Sequence, residues 1–207
     1  MAKPRHLSVF ADLWCPFAYV GLVAASVHCA DTERGVQLTI RSWPLELVNG
    51  TPLAEEKTYV NATALRTSVA PELFSGIDHW SYPTSTLAAL SRAAKASTVD
   101  RELGRAVSMY LRHRLFEDGA DLSCDEELTA VAEKFGVKRD ARDLDLVRRD
   151  YDDGIALGVN GSPHFFCDTG ADLFCPTLDL KRDESGTLQV TMMMGRLERF
   201  IATCAAA

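Results

Sequence analysis

The sequence predicts an α/β protein in which a large block of helices interrupts a single sheet. Three observations lead to this fold class: a strand–helix–strand pattern in residues 1–48, a helical pattern over residues 49–157, and renewed strand patterns followed by a helix over residues 158–207. The two β-rich ends can form one sheet only if the helices between them are an insertion. We therefore predict one α/β domain over residues 1–48 and 158–207, with an inserted helical subdomain over residues 49–157.

The first segment has the pattern of a βαβ unit. Residues 7–13 are an apolar run, residues 16 to about 33 form a helix that begins at Pro16, and residues 36–43 alternate between apolar and polar side chains. Proline suits the first position of a helix because its missing N–H would have no partner there. Two strands joined by one helix are expected to lie parallel, with a right-handed crossover.

Residues 49–157 have the spacing of helices. Apolar residues recur every three or four positions in three stripes that begin at Leu103, Leu128 and Leu144, and residues 84–96 form a further, alanine-rich helix. Each stripe predicts an amphipathic helix with one buried face. A glycine follows the last stripe, which is typical of a helix C-terminus.

Two local features of this block carry more specific predictions. Ser123 and Glu126 stand at the spacing of a capping box, which predicts that the second amphipathic helix begins next to Ser123. Arg112 and Arg114 are predicted to lie on the solvated face of their helix, because neighbouring charges of this kind more often face water than a binding site.

Residues 158–207 return to strand patterns. Strands are predicted at residues 164–167, 173–174 and 188–192, with a turn between residues 182 and 186. An amphipathic helix follows, and its buried face is predicted to carry Leu197, Phe200, Ile201 and Cys204.

The composition excludes several function classes. The chain has 207 residues, of which 47% are hydrophobic and 25% charged, and its net charge of −7 disfavours a nucleic-acid partner. No segment approaches the roughly 18 apolar residues of a membrane span, and the N-terminal apolar run is too short for a signal peptide. We therefore expect a cytoplasmic protein that does not bind membranes. The six cysteines form no C-x-x-C pair, so we expect free thiols and no metal site.

Cys15 is the candidate catalytic residue. It stands between an apolar strand and a helix, next to Pro16, where unpaired N–H groups and the positive end of the helix dipole converge. This position predicts a thiolate, which is the reactive form of cysteine, although the dipole alone contributes only about 0.3–1 kcal/mol. The alternative is a buried structural cysteine.

Four segments, in this order along the chain, resemble those of DsbA-like proteins with a thioredoxin fold. They are Asp12–Tyr19 (DLWCPFAY), Trp43–Leu47 (WPLEL), residues 115–128 and Gly158–Pro163 (GVNGSP). More narrowly, the chain is similar to cytoplasmic FrnE-type oxidoreductases, which are related to kappa-class glutathione transferases and 2-hydroxychromene-2-carboxylate isomerases. The resemblance implies a thioredoxin-like fold with a large all-helical insertion over nearly the whole chain.

The resemblance also implies how the site is built. Pro163 would be the cis-proline of the fold, and Ser162 and Pro163 would face Cys15 and align the backbone or the thiol of a substrate. Oxidoreductases of this family have a second cysteine where this chain has Ala18, so Cys15 would act as a single active-site thiol. Kappa-class transferases and the isomerases have serine where this chain has Cys15.

Four further residues are candidates for substrate binding. Trp14, Pro16 and Phe17 flank Cys15 and would line a substrate pocket, while the alternative for the two aromatic residues is a place in the core. His164 follows Pro163 and is a candidate proton donor or thiolate partner, because histidine titrates near neutral pH. The alternative for His164 is a strand residue whose ring has its own hydrogen-bond partners.

The cysteines near the cis-proline segment allow several arrangements. Cys167 and Cys175 would pair across a hairpin, or one of them would resolve a disulfide formed on Cys15. In a reducing compartment we expect both to be free thiols.

These features lead to three hypotheses for function. In the first, Cys15 attacks a disulfide, and a low-molecular-weight thiol such as glutathione or mycothiol acts as co-substrate and resolves the adduct. In the second, Cys15 positions a bound thiol for an isomerisation or a transfer of the kappa type. In the third, the chain is a redox-inactive binding protein. No tightly bound cofactor is expected, a peptide is a further candidate partner, and the oligomeric state, a homodimer included, stays open.

Overall fold

A four-stranded mixed sheet carries helices on both of its faces. The structure is a computed structural model, and it describes residues 5–29, 35–138, 140, 142–184, 186 and 188–206. The sheet has the order β2-β1-β3-β4, with β1 and β2 parallel and the other two pairings antiparallel. Its strands are β1 Arg5–Ala11, β2 Val36–Ser42, β3 His164–Cys167 and β4 Asp172–Phe174. This mixed sheet confirms the predicted α/β class.

The predicted βαβ unit is confirmed. β1 pairs with β2 in parallel along the full length of both strands, and α1 (Pro16–Cys29) lies between them in the chain. Residues 30–33, where the helix was expected to end, lie outside the described residues. β1 ends at Ala11, before the end of the apolar run, because Asp12 forms a turn by accepting the N–H of Trp14.

The helical pattern of the middle of the chain is also confirmed. Its helices begin close to the predicted stripes, and the buried face of the last helix carries the four apolar residues that the sequence predicts. The prediction that the chain divides at residues 48 and 158 stays a prediction. Within the described ranges the further helices are α2 Leu45–Asn49, α3 Glu55–Ser68, α4 Leu87–Val99, α5 Arg101–Phe116, α6 Asp125–Phe135, α7 Asp143–Leu157 and α8 Met194–Ala206.

The predicted capping box at the start of α6 is wrong. Ser123 donates its hydroxyl to the carboxylate of Asp121, which also accepts the Ser123 N–H at 2.8 Å. Cys124 takes the position before the helix, and α6 begins at Asp125. The reason is that Asp121 closes a local turn, which removes the serine hydroxyl from the helix.

The expectation that all strands join one sheet is wrong as well. β5 (Leu178–Arg182), which the sequence pattern did not reveal, pairs with β6 (Leu188–Met192) in a separate antiparallel hairpin. The chain leaves the main sheet after β4 at Cys175, whose φ of 42° lies in the left-handed region. The hairpin packs through β6 against α3.

The two faces of the main sheet have different coverings. On one face, α1 and α8 pack over apolar residues of β1, β2 and β3 in a cluster that contains Cys15. On the other face, α7 approaches so closely that a Cβ on Gly154 would lie 2.5 Å from the ring of Trp43. The helical block forms a second apolar cluster, which includes Trp14. Cys15 therefore lies where the two clusters meet. In the part of the chain that the structure describes, no helix has the length and apolar character needed to span a bilayer.

Candidate active site

Cys15 ends the turn between β1 and α1. Its carbonyl accepts the N–H of Tyr19 at 3.1 Å, which is the first hydrogen bond of the helix. The N–H of Ala18 points at the sulfur, with 3.4 Å between N and Sγ. The sulfur therefore lies at the N-terminus of α1, as the sequence predicts, and receives the partial positive charge of the first turn.

The loop before β3 lies directly against Cys15. The Cys15 thiol donates a hydrogen bond to the carbonyl of Ser162, with 3.0 Å between Sγ and O. The peptide bond between Ser162 and Pro163 is cis. The hydroxyl of Ser162 accepts the N–H of Asp12 at 2.9 Å. The loop is therefore held at two points to the turn between β1 and α1, residues 12–15, which we call the active-site turn.

Gly21 allows α1 to approach this loop. A Cβ at residue 21 would lie 3.3 Å from Cγ of Pro163 and 3.4 Å from Oγ1 of Thr177. A larger side chain would push the helix away from the loop, and Cys15 is carried by the same helix. Gly21 therefore contributes to the position of the sulfur through packing.

Burial decides the protonation state of Cys15. The residue is only 4% exposed, and burial raises the pKa of its thiol to about 11. The side chain of Ser162 and the N–H groups of Ala18 and Phe17 lower this pKa by less than burial raises it, and the charge of Asp12 raises it further. The prediction of a resting thiolate is wrong, because removing the sulfur from water outweighs a helix dipole worth about 0.3–1 kcal/mol.

Asp12 is a buried carboxylate at the centre of the active-site turn. Its Oδ1 accepts the N–H of Trp14 at 3.2 Å and the hydroxyl of Thr86 at 3.1 Å, and its Oδ2 accepts the N–H of Leu45. Burial raises the pKa of Asp12 to about 6, although these donors and the charge of Arg112 lower it. The carboxylate thus joins the turn to the starts of α2 and α4.

Arg112 brings a buried cation to the same region. Its guanidinium donates to the backbone carbonyl of Asp12 at 3.1 Å and to the carbonyl and hydroxyl of Ser108. Its Nε has no hydrogen-bond partner among the described residues. Burial lowers the pKa of Arg112 to about 10, so the group stays charged at neutral pH. The prediction of a solvated face is therefore wrong for Arg112, because the active-site turn covers its side chain.

Comparison with known families identifies the domain that carries this site. Residues 6–179 match the protein family described as the DSBA-like thioredoxin domain. This range includes Cys15, the loop at Ser162 and Pro163, and the helices between them. The chain belongs to this family. No curated protein matches the chain at a significant level. The resemblance to DsbA-like proteins seen in the sequence is confirmed by this match.

Solved structures share the fold of this DsbA-like domain at low sequence identity. A probable DsbA oxidoreductase from Streptomyces coelicolor is 18% identical with a TM-score of 0.64, covering 98% of this chain and 90% of its own. The cytosolic disulfide reductase DsbM from Pseudomonas aeruginosa is 14% identical with a TM-score of 0.60, covering 97% and 95%. A 2-hydroxychromene-2-carboxylate isomerase is 13% identical with a TM-score of 0.58, also covering 97% and 95%. These likenesses establish the fold.

The DsbA-like domain brings four of the predicted site residues together. Cys15 contacts Ser162, and Pro163 follows Ser162 through the cis peptide bond and lies against α1 at Gly21. Pro16 follows Cys15 directly, begins α1 and is buried. These four residues form the candidate active site.

The two aromatic residues beside Cys15 lie in different environments. Phe17 is half-buried and contacts both apolar clusters, so part of its side chain remains accessible to solvent. Trp14 is fully buried, and its ring stacks on Tyr82 with 5.9 Å between ring centres. The prediction that Trp14 lines a substrate pocket is therefore wrong, since its side chain belongs to the core of the helical block.

His164 is not brought to the site. Successive residues of a strand face opposite sides, and Phe165 joins the cluster of Cys15, so His164 faces the other side of the sheet. Its Nδ1 accepts the N–H of Asn160 at 3.1 Å, which leaves Nε2 to donate to Asp172 at 2.9 Å. The proposed role of His164 as a proton donor to the substrate is therefore corrected to a structural one.

The remaining cysteines are free thiols, and Cys167 and Cys175 are not paired with each other. The thiol of Cys204 on α8 hydrogen-bonds with that of Cys167 at the end of β3, and both are buried. Over the described ranges, no group of three or more histidine, cysteine or acidic residues is arranged to hold a metal ion.

Sequence reasoning missed Asp12 and Arg112, although both left a signal. Asp12 is the only charged residue between Leu7 and Tyr19, and a carboxyl in an apolar run is expected to be buried with hydrogen-bond partners. Gly104 and Ser108 stand eight and four residues before Arg112, and thus on the same face of α5. Small residues at those positions leave room for a guanidinium to lie on the buried face of the helix.

Proposed function

We propose that the protein is a thiol oxidoreductase in which Cys15 is the nucleophile and a low-molecular-weight thiol, glutathione or mycothiol, regenerates it. The observation that carries the proposal is the 3.0 Å contact between Cys15 Sγ and the carbonyl of the cis dipeptide Ser162–Pro163. Membership of the DsbA-like family supports it. The fold shared with the cytosolic disulfide reductase DsbM, whose structure is also known with GSH, supports it further.

The reaction would consist of two thiol–disulfide exchanges. Cys15 loses its proton to solvent and attacks one sulfur of a substrate disulfide; the S–S bond breaks, a mixed disulfide forms on Cys15, and the leaving thiolate takes up a proton. A low-molecular-weight thiolate then attacks the substrate-derived sulfur; Cys15 is released as a thiolate that takes up a proton, and the substrate sulfur leaves as a mixed disulfide with the external thiol. Because Ala18 stands where related enzymes have a second cysteine, the reducing equivalents come from the external thiol.

The raised pKa of Cys15 determines how fast the first step proceeds. With a pKa of about 11, on the order of one molecule in ten thousand carries a thiolate at neutral pH. A thiolate whose thiol has a high pKa is also a stronger nucleophile. On a logarithmic scale, this recovers nearly half of the rate that is lost through the low thiolate fraction. The rate of attack is therefore expected to rise with pH across the neutral range.

Ser162, Pro163 and Phe17 would surround the reacting sulfurs. The hydroxyl of Ser162 accepts the N–H of Asp12, so its own proton is available for a hydrogen bond to Sγ when Cys15 ionises. The half-buried Phe17, two residues after Cys15, would offer an apolar contact to a substrate. Pro163 would set the direction of the substrate chain.

The test is the state of Cys15 after exposure to oxidised glutathione. The folded protein is incubated with oxidised glutathione, free thiols are alkylated, and each cysteine is followed by peptide mass spectrometry. We expect Cys15 to be the first cysteine that is protected from alkylation, and reduced glutathione to restore it. A Cys15 that stays free while Cys29 or Cys124 reacts would contradict the proposal.

A second candidate function is thiol-dependent isomerisation or transfer, and the protonated state of Cys15 favours it. A thiol at a helix N-terminus can donate a hydrogen bond to the sulfur of a bound glutathione, just as it now donates to Ser162. The fold shared with a 2-hydroxychromene-2-carboxylate isomerase supports this candidate. Calorimetry with reduced glutathione separates the two candidates. Tight binding of glutathione while Cys15 stays a free thiol favours isomerisation or transfer. If the protein neither binds reduced glutathione nor forms a mixed disulfide with oxidised glutathione, the hypothesis of a redox-inactive binding protein remains.

A further inference from the structure

Cys175 repeats the local arrangement of Cys15. Each cysteine is followed by a proline, as Cys15–Pro16 and Cys175–Pro176, and in each case the N–H of the residue three positions on points at the sulfur. For Cys15 this residue is Ala18, and for Cys175 it is Leu178. The chain therefore presents two Cys-Pro turns whose sulfurs each accept a backbone hydrogen bond.

The loop at Ser162 and Pro163 holds both turns. The N–H of Cys175 donates to the carbonyl of Pro163 at 3.0 Å, while the thiol of Cys15 donates to the neighbouring carbonyl, that of Ser162, also at 3.0 Å. Two adjacent carbonyls of one dipeptide thus bind the two cysteines. The charge of Cys15 also contributes to the raised pKa of Cys175, which agrees with their proximity.

The register of the main sheet places Cys175 at the same end as Cys15. Phe10, His164 and Phe174 stand opposite one another across β1, β3 and β4, and Cys175 follows Phe174 directly. Cys15 follows the same end of β1, five residues after Phe10. The left-handed backbone of Cys175, with φ of 42°, turns the chain out of the main sheet at this point.

The other buried thiols of the sheet are too far away to react with Cys15. Cys167 stands opposite Leu7, four residues before the end of β1, which corresponds to roughly 13 Å along the strand. The Cα atoms of a disulfide lie within about 7 Å of each other. Cys204 hydrogen-bonds with Cys167 at that distant end, and Cys29 is at the far end of α1.

We propose that Cys175 is the resolving thiol of Cys15, an inference that rests on the proposed function of Cys15 as nucleophile. Once a mixed disulfide has formed on Cys15, the thiolate of Cys175 attacks the Cys15 sulfur. The bond from that sulfur to the substrate sulfur breaks, and the substrate leaves as a thiolate that takes the proton of Cys175. The resulting Cys15–Cys175 disulfide is reduced by two molecules of a low-molecular-weight thiol, which leave as their own disulfide.

The test compares three forms of the protein after a pulse of oxidised glutathione: the wild type, Cys175→Ser and Cys167→Ser. Intact mass and non-reducing peptide maps are recorded over time. In the wild type we expect loss of two hydrogens and a peptide that links Cys15 to Cys175. In Cys175→Ser we expect a glutathionyl group on Cys15 that persists at least about tenfold longer, because the intramolecular attack is gone. Cys167→Ser is the matched control, and it should behave like the wild type.

The outcomes separate this inference from the proposed function. A persistent glutathionyl group on Cys15 in the wild type, equal in lifetime to that of Cys175→Ser, would overturn the role of Cys175 and leave Cys15 as the nucleophile. Absence of any modification of Cys15 in Cys175→Ser, in protein whose circular dichroism and unfolding midpoint match the wild type, would overturn both.

Discussion

Replacement of Cys15 by serine should lower the rate of glutathione-dependent disulfide reduction by at least about a thousand-fold, the order of loss seen when a nucleophile is removed from an enzyme. A serine hydroxyl remains protonated at neutral pH and forms no disulfide. The fold should persist, because the hydroxyl can donate to the carbonyl of Ser162 as the thiol does. The measurement is turnover with a small disulfide substrate, with circular dichroism and urea unfolding as checks.

Cys29→Ser provides the control for this prediction. Cys29 is the last residue of α1, at the opposite end of the helix from Cys15, and is half-buried and free. Its replacement should leave turnover within about twofold of the wild type, as expected for a change distant from the chemistry. Turnover in Cys15→Ser that equals turnover in Cys29→Ser would rule out Cys15 as the nucleophile.

Replacement of Arg112 by alanine should lower the free energy of unfolding by about 3–5 kcal/mol. The guanidinium is fully buried, fills space between α5 and the active-site turn, and donates to the backbone carbonyl of Asp12. Its removal leaves a cavity, an unpaired carbonyl and a buried Asp12 without its nearest cation. Urea unfolding at neutral pH measures the loss.

Arg114→Ala is the matched control on the same helix, two residues away. Arg114 is about a quarter exposed and forms ion pairs with Asp118 at 2.9 Å and Glu127 at 2.7 Å. Ion pairs in contact with water contribute little, so we expect a loss of about 1 kcal/mol or less. Equal losses for the two arginines would contradict the role given to Arg112 at the centre of the turn.

The sequence predicts those parts of the fold that local pattern determines. The alternation of β2 and the apolar run of β1 indicate buried strands, and Pro16 marks the start of α1 because its ring suits that position. The order of these elements, together with the segment at Ser162 and Pro163, is sufficient to place Cys15 near the cis-proline loop. Each of these predictions depends on residues that are close in sequence or on one recognisable order of segments.

The electrostatics of the site could not be predicted in this way, because they depend on what covers each group. Cys15 has the helix terminus that lowers a thiol pKa, but the loop at Ser162 removes its sulfur from water and reverses the outcome. The residues around Arg112 in the sequence are typical of a solvent-exposed helix face, and only the packing of α5 against the active-site turn buries its side chain. The strand β5 was missed because it is only five residues long and three of them are charged.

One measurement decides whether Cys15 is held as a buried thiol: its rate of alkylation by iodoacetamide in the folded protein, followed by peptide mass spectrometry as pH is raised. Burial raises the pKa of Cys15 to about 11, so the thiolate fraction, and with it the rate, should rise about tenfold per pH unit with no plateau through pH 9. In Arg112→Lys, which keeps a positive charge on α5, the same profile is expected. A rate that is already constant above about pH 8 would mean that Cys15 is a thiolate at neutral pH, and would contradict the environment described for it.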